Sequence, residues 1–258
     1  MTLSDALESP ASRVERLVLV AQVADADALK TREAEGTWLS AYAWFLDTLA
    51  ENVDDAGQLV KTCGDGAVYV FERERAADAL NAAIVFQEAV TAGSVTRKVS
   101  CSASVAMAWG EVVSFKTATC AHDYAGITVD RAFALSSIAT AKAILIDGGT
   151  LGVAPLGRLR SRAGETRQPT PRTPDEYAGP LQRATLSGIA VPVEFQEIYW
   201  DLQQPSPRFR LQNSPLVTAA AGEEAASGLL DERQSGTVRR WDKKKGCLLY
   251  TSPSPRDS

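Results

Sequence analysis

Leu59-Val-Lys-Thr-Cys-Gly-Asp-Gly-Ala-Val-Tyr-Val-Phe71 is the stretch that decides the fold. Two β-rich runs, QLVKTC and AVYVF, flank Gly64-Asp65-Gly66. An Asp-Gly step between such runs is a strong short-range hairpin signal, because glycine accepts the backbone angles of a tight turn. The turn carries the Asp65 carboxylate beyond two strand ends. By itself that is what a good turn residue does, so a role for Asp65 needs context from the rest of the chain.

Upstream, Arg16-to-Ala24 (RLVLVAQVA) is an apolar, Val-rich run of strand length. A helical pattern follows, with Leu39, Ala43, Leu46, Leu49, Ala50 and Val53 at three- and four-residue steps. Gly57 punctuates its end. Downstream, the spacing of Ala76, Leu80, Ala83, Phe86 and Val90 predicts a helix over 73–92. Val99-to-Met107 alternates apolar with small residues, the signature of a half-buried strand with one slim face. That face either leaves room for a ligand or accepts a closely packed helix. Gly110 then separates a second short strand. A loop leads to DYAG (123–126), a helix near 129–142, a strand at 143–147, an Arg/Thr/Pro-rich loop over 157–180, and a closing strand pair over 186–199. Strands and helices interleave as βαββαββαβ, and direct hairpins beside helical crossovers predict an α+β fold.

Composition narrows the classes of function. The 258 residues are 45% hydrophobic and 23% charged, as in a globular protein that buries its own core. The net charge of −5 disfavours a broad nucleic-acid face, which needs clustered Lys and Arg. Cys63, Cys101, Cys120 and Cys247 form no CxxC pair, and His122 is the lone histidine, so the spacing of a zinc site is missing. Scattered cysteines fit a reducing cytoplasm. No eighteen-residue apolar run predicts a membrane span. Residues 1–13 read as a polar leader without the pattern of a secretory signal. Residues 14–202 read as the folded domain. From 203 to 258 Pro, Ser, Ala and Gly dominate, which predicts a disordered tail. Within it KKK (243–245) reads as a solvated charge run, and 247–258 (CLLYTSPSPRDS) resembles translated sequencing-adaptor sequence and is set aside.

The hairpin resembles the K-T-x-G-D-G element of class III nucleotidyl cyclase catalytic domains. Four other segments resemble that family in the expected order: VLVAQV (18–23), WGEVV (109–113), DYAGITVDRAFAL (123–135) and LSGIAVPVEFQEI (186–198). The resemblance runs from about Val14 to Trp200 and implies a ferredoxin-like α+β fold whose central, mostly antiparallel sheet carries packed helices. It implies closure of a nucleoside triphosphate into a 3′,5′-cyclic nucleotide with release of pyrophosphate, a phosphorus–oxygen lyase reaction. Mg²⁺ or Mn²⁺ on paired carboxylates would activate the ribose oxygen and neutralise phosphate charge. It also implies a homodimer, because the family builds each site from two chains. Lys61 and Asp65 would come from one subunit region, and Asp123 and Asp130 would approach from the other.

Residue by residue, the resemblance makes Asp65 the second metal-binding Asp and sets Gly64 beside the substrate. Gln22 stands where the first metal-binding Asp is expected, and its neutral amide is a poor Mg²⁺ ligand. Asp25 and Asp27 are the nearest substitutes, although strand alternation sets Asp25 on the face opposite position 22. Lys61 and Asp123 match the base-reading pair of adenylyl cyclases, while relatives in bacterial anti-phage defence use pyrimidine triphosphates. The family's transition-state Asn and Arg correspond to Asp130 and Ala134. Arg131 points roughly 100° away around the helix, and His122 is a second-rank candidate for a phosphate contact. Two readings follow. One is a nucleotidyl cyclase for bacterial second-messenger signalling through a cyclic-nucleotide effector. The other is a pseudocyclase, in which Gln22, Asp130 and Ala134 leave a nucleotide-binding or dimerising regulatory module.

Overall fold

Arg13–Val23 (β1) forms the centre of the sheet. Leu17 to Ala21 are buried on both faces, which is why this stretch reads as one continuous apolar run. The strand pairs antiparallel with Gly66–Phe71 (β3) on one side and Ala103–Phe115 (β4) on the other. The computed structural model describes residues 3–9, 12–117, 122–155, 177–201 and 207–211.

After a short helix, Leu3–Glu8 (α1), and β1 come Ala26–Arg32 (α2) and Glu35–Val53 (α3), then Gln58–Cys63 (β2) and β3. A 3₁₀ turn at Arg73–Arg75 leads into Ala76–Arg97 (α4), then β4. Asp123–Ala125 (β5), Ile127–Ile138 (α5), Ile144–Asp147 (β6), Gly148–Val153 (α6), Gln182–Ala184 (β7) and Val193–Glu197 (β8) complete the described elements. The eight-stranded sheet runs β2-β3-β1-β4-β6-β8-β7, with β5 on β4. Its first four strands with α3 and α4 form a βαββαβ unit in ferredoxin-like order. Only β4 and β6 run parallel among the described pairs. The expected α+β architecture is therefore observed.

The two faces of the sheet carry different helices. Leu17, Leu19, Tyr69, Met107 and Trp109 face α3 and α4, where Phe45, Leu49, Leu80 and Phe86 meet them. Val18, Val20, Val68 and Ala108 belong to the cluster of the opposite face, which includes Ala132 of α5. Beside it, Ala106 packs with Ala134, Leu135 and Ile138 of the same helix. The strand expected from Val99 begins at Ala103, and its slim face is covered by α5 over Ala106 while Ser104 on the same face borders a cleft, so both options open from sequence are met in part.

Several expectations are corrected. Gly110 does not divide two strands, because β4 continues unbroken to Phe115. The buried stripe of α3 is Ala41, Phe45, Thr48, Leu49 and Val53, while Leu39 is 44% exposed. This helix carries apolar and aromatic residues most of the way round, so the bulky Phe45, wedged edge-on to Phe86, decides which side turns inward. The helix expected over 129–142 ends at Ile138, and the closing pair is β7 with β8. Residues 207–211, assigned to the tail by composition, pack on the domain: Phe209 bridges Ala139 and meets Phe195 edge-on at 5.2 Å. The adaptor-like stretch, the rest of the tail from 212, and most of the 157–180 loop lie outside the described residues.

Candidate functional site

The hairpin forms as its residue types dictate, with one shift. Cys63 pairs with Gly66, so the two-residue turn is Gly64-Asp65. Gly64 takes φ 54°, and a glycine at the first central position is what a type II′ turn requires. Gly66 is needed for a different reason. A Cβ there would lie 2.0 Å from the Ala21 carbonyl oxygen, because β1 and β3 cross at close range. The tip is tied to β1 by the Val23 N–H, which donates to the Asp65 carbonyl at 2.9 Å.

This register sets Asp65 beside the end of β1, where Gln22 pairs with Gly66 on one side and Ser104 on the other. The Gln22 Oε1 accepts a hydrogen bond from Ser136 Oγ of α5 at 2.5 Å. The Asp65 carboxylate is in direct contact with the Lys30 ammonium of α2. Lys30 also lies 5.4 Å from the centroid of the Trp38 ring, a cation–π contact. Its hydrogen bond to Asp65 holds the ammonium above its ordinary value. Asp25 adopts φ 53° as N-cap of α2, because β1 has already ended at Val23. Strand alternation therefore does not govern it. Contrary to the reading from sequence, Asp25 lines the same cleft as Gln22, a cavity of about 230 Å³.

A second group assembles on β2, where Lys61 stands two residues before Cys63. Lys61 Nζ donates to both carboxylate oxygens of Asp123, at 2.8 and 3.0 Å. The ladder of β2 slips between Leu59 and Lys61, and such bulges re-aim side chains. Asp123 Oδ1 also accepts from the Tyr124 N–H at 2.8 Å. The pair forms within one chain, which corrects the expectation that Lys61 and Asp123 reach each other from separate subunits. Asp130 is exposed in the first turn of α5, and His122 is exposed beside Asp123.

Arg131 serves the interior. It donates to the Trp109 carbonyl at 3.0 Å and lies 3.3 Å from Asp147. Asp147 in turn accepts from the Trp109 and Thr150 N–H groups, and burial pushes its carboxyl up. Ala134 is buried against Ala106. No cationic side chain therefore comes from positions 131 or 134.

No protein-family model matches the sequence, nor does any curated protein. Solved structures do. A guanylyl cyclase, Cya2, matches with a TM-score of 0.59 at 15% identity, covering 72% of this chain and 92% of its own. The guanylate cyclase domain of RhGC from Catenaria anguillulae, in complex with GTP, matches with a TM-score of 0.56 at 14% identity, covering 71% and 95%. An adenylate/guanylate cyclase/hydrolase from Silicibacter pomeroyi matches at 0.54 with 21% identity, covering 72% and 96%.

The fold is that of a class III nucleotidyl cyclase domain.

On that fold, Mg²⁺ or Mn²⁺ needs oxygen donors that carry charge. The class III cyclase fold here offers the Gln22 amide, already bonded to Ser136, an Asp65 carboxylate held by Lys30, and the Asp25 carboxylate on the wall of the Gln22 cleft. Among the described residues no three His, Cys, Asp or Glu side chains converge as a cage. The donor set does not fit the expected pair of divalent cations. No helix of the described residues is long and apolar enough to cross a membrane. The cyclase motif by itself gives no sign of Lys30 or Ser136: Lys30 stands in a short polar helix without a motif, and Ser136 follows the family segment.

Proposed function

We propose that this chain is a nucleotide-binding regulatory module on the class III cyclase fold, with an impaired cyclisation centre. One contrast carries the reading: the Lys61–Asp123 pair is complete, whereas the Gln22–Asp65 position has exchanged a carboxylate for an amide and a divalent cation for an ammonium. A lysine donor and a carboxylate acceptor side by side suit the edge of a base, and unpaired polar groups penalise the wrong base strongly. Ring closure, by contrast, builds charge on phosphate oxygens that must be met by fixed cations. Gln22 and Ala134 offer none, and Asp130 adds a negative charge.

The resemblance implies a symmetric dimer, in which the Lys61–Asp123 group of one protomer would approach the Asp65 tip of its partner. A dimeric guanylyl cyclase domain is among the similar structures. A working cyclase is the second reading, favoured by the retention of Asp65 at the hairpin tip. On that reading ATP, or a pyrimidine triphosphate, would be converted to a second messenger.

The test is direct. The purified chain is incubated with ATP, GTP, CTP and UTP plus Mn²⁺, and cyclic product is sought by mass spectrometry alongside thermal shift. The module reading expects a rise in melting temperature with at least one triphosphate, lost in Lys61→Ala, and no cyclic product. Cyclic product that disappears in Asp65→Ala would establish the enzyme instead.

A further inference from the structure

Pro207-Arg208-Phe209-Arg210-Leu211 follows a Pro/Ser-rich stretch of sequence and packs back on the domain. It makes one isolated bridge, Phe209 with Ala139, and no ladder. The Thr140 N–H donates to the Arg208 carbonyl and the Arg210 N–H to the Ile138 carbonyl, both at 2.8 Å. Side chains supply the other anchors. Phe209 meets Phe195 edge-on, and Leu211 joins it against the core that α5 shares with β8. Arg208 is only 5% exposed, which is rare for an arginine. Its N–H donates to the buried Glu197 carboxylate at 2.9 Å, and its Nη1 donates to the Lys142 carbonyl at 3.1 Å. Its guanidinium also lies 3.7 Å from Asp201 and 5.6 Å from the centroid of the Trp200 ring.

These contacts grip one place, the turn that leaves α5. The helix ends at Ile138, Ala139 is its extended C-cap, and Lys142, at φ 67°, turns the chain towards β6. The last carbonyls of a helix have no partner within it, and the Ile138 carbonyl finds one in Arg210. Ser136 to Thr140 also form a wall of the Gln22 cleft, where the Ser136 hydroxyl holds Gln22. We infer that residues 207–211 are a detachable strap that locks the C-terminal end of α5 and so sets the shape of the cleft at the end of β1. The strap leaves as a unit without breaking the sheet ladder, because two backbone hydrogen bonds and a few side chains hold it; such peripheral units open at low cost. A buried ion pair is costly to desolvate and sets position more than it adds stability, so the docked state is specific and yet releasable. On release the Ile138 carbonyl and the Thr140 N–H lose their partners, and the cleft wall loosens. The state of the cleft then depends on the chain's own C-terminal segment, whatever the ligand.

Hydrogen exchange of the full chain, read by mass spectrometry, tests the lock. Phe209→Ala truncates a partly buried aromatic ring, which should raise the local opening constant, and with it exchange over 137–142, about tenfold. Arg208→Gln leaves the Glu197 carboxylate without its cation and should have at least as large an effect; Phe209→Ala decides the matter if that variant does not fold. Exchange in Ala76–Arg97, on the other face of the sheet, should stay unchanged. The cleft is read separately by the thiol of Ser104→Cys, because Ser104 is 2% exposed on the cleft wall. Adding Phe209→Ala should speed alkylation of that thiol by iodoacetamide about tenfold, following the opening constant. Cys101, in the core beneath α3 and α4, should stay protected. Unaltered exchange over 137–142 in Phe209→Ala overturns the inference, and so does an equal acceleration in α4, which marks a loss of general stability. Faster exchange over 137–142 with the Ser104→Cys thiol still protected severs the strap from the cleft and overturns it as well.

Discussion

Exchanging Lys30 and Gln22 should turn a site that rejects divalent metal into one that accepts it. The perturbation is Lys30→Gln with Gln22→Asp, two side chains that meet the same end of β1. A unit charge pair about 4 Å apart is worth ~1 kcal/mol in water and ~4 kcal/mol at an effective dielectric of about 20. Lys30 and Asp65 are 36% and 29% exposed, so the lower part of that range applies, on the order of 1–2 kcal/mol. Removing the ammonium should then raise Mn²⁺ affinity roughly 5- to 30-fold, and adding the second carboxylate should raise it by a similar factor again. The double variant is expected to bind about a hundredfold more tightly than the parent chain. Free Mn²⁺ counted by electron paramagnetic resonance during titration reads this without reference to turnover. Should the parent chain bind Mn²⁺ as tightly as the double variant, and lose it in Asp65→Asn, the reasoning about donor charge is refuted.

Three further outcomes follow from packing and ionisation. Gly66→Ala places a Cβ against the Ala21 carbonyl, so urea denaturation should show a loss of about 1–3 kcal/mol from forced separation of β1 and β3. Ala134→Arg returns the family's side-chain type to a position only 7% exposed and packed on Ala106; stability should fall by at least ~2 kcal/mol with no gain of cyclic product, because the guanidinium must either overpack the helix–sheet seam or displace it. Burial pushes the Cys101 thiol up to about 11. The folded chain then keeps that proton while the unfolded chain loses it near pH ~8.5, so this group leaves stability untouched below that pH and lowers it progressively up to about pH 11, where the folded thiol also ionises. Peptide mapping after iodoacetamide at pH ~8.5, an ordinary thiol's pKa, should find Cys101 unlabelled until the chain is unfolded, and labelling in the folded state would contradict the burial.

The hairpin, the two long helices and the central strand were legible because each is written in local spacing: Gly64 and Gly66 at the turn, an apolar run in β1, helical repeats before and after. Motif order across 18–198 pointed to the cyclase fold, and the superposed structures agree. The charge arrangement at 22, 130 and 134 was also readable, since a missing carboxylate or arginine is a fact of composition at a position.

What the sequence by itself determined, then, is the order of elements and the identity of the exchanged residues, because turn chemistry and periodicity act over a few residues. Only the tertiary structure decided who neutralises Asp65, that Lys61 and Asp123 pair within one chain, and that Ser136 bonds Gln22. Those contacts join residues 35, 62 and 114 positions apart, and the geometry that brings them together is set by the register of β1 between β3 and β4 and by the packing of α5 on the sheet. Coulomb attraction and hydrogen bonding depend on distance in space, which spacing along the chain does not encode.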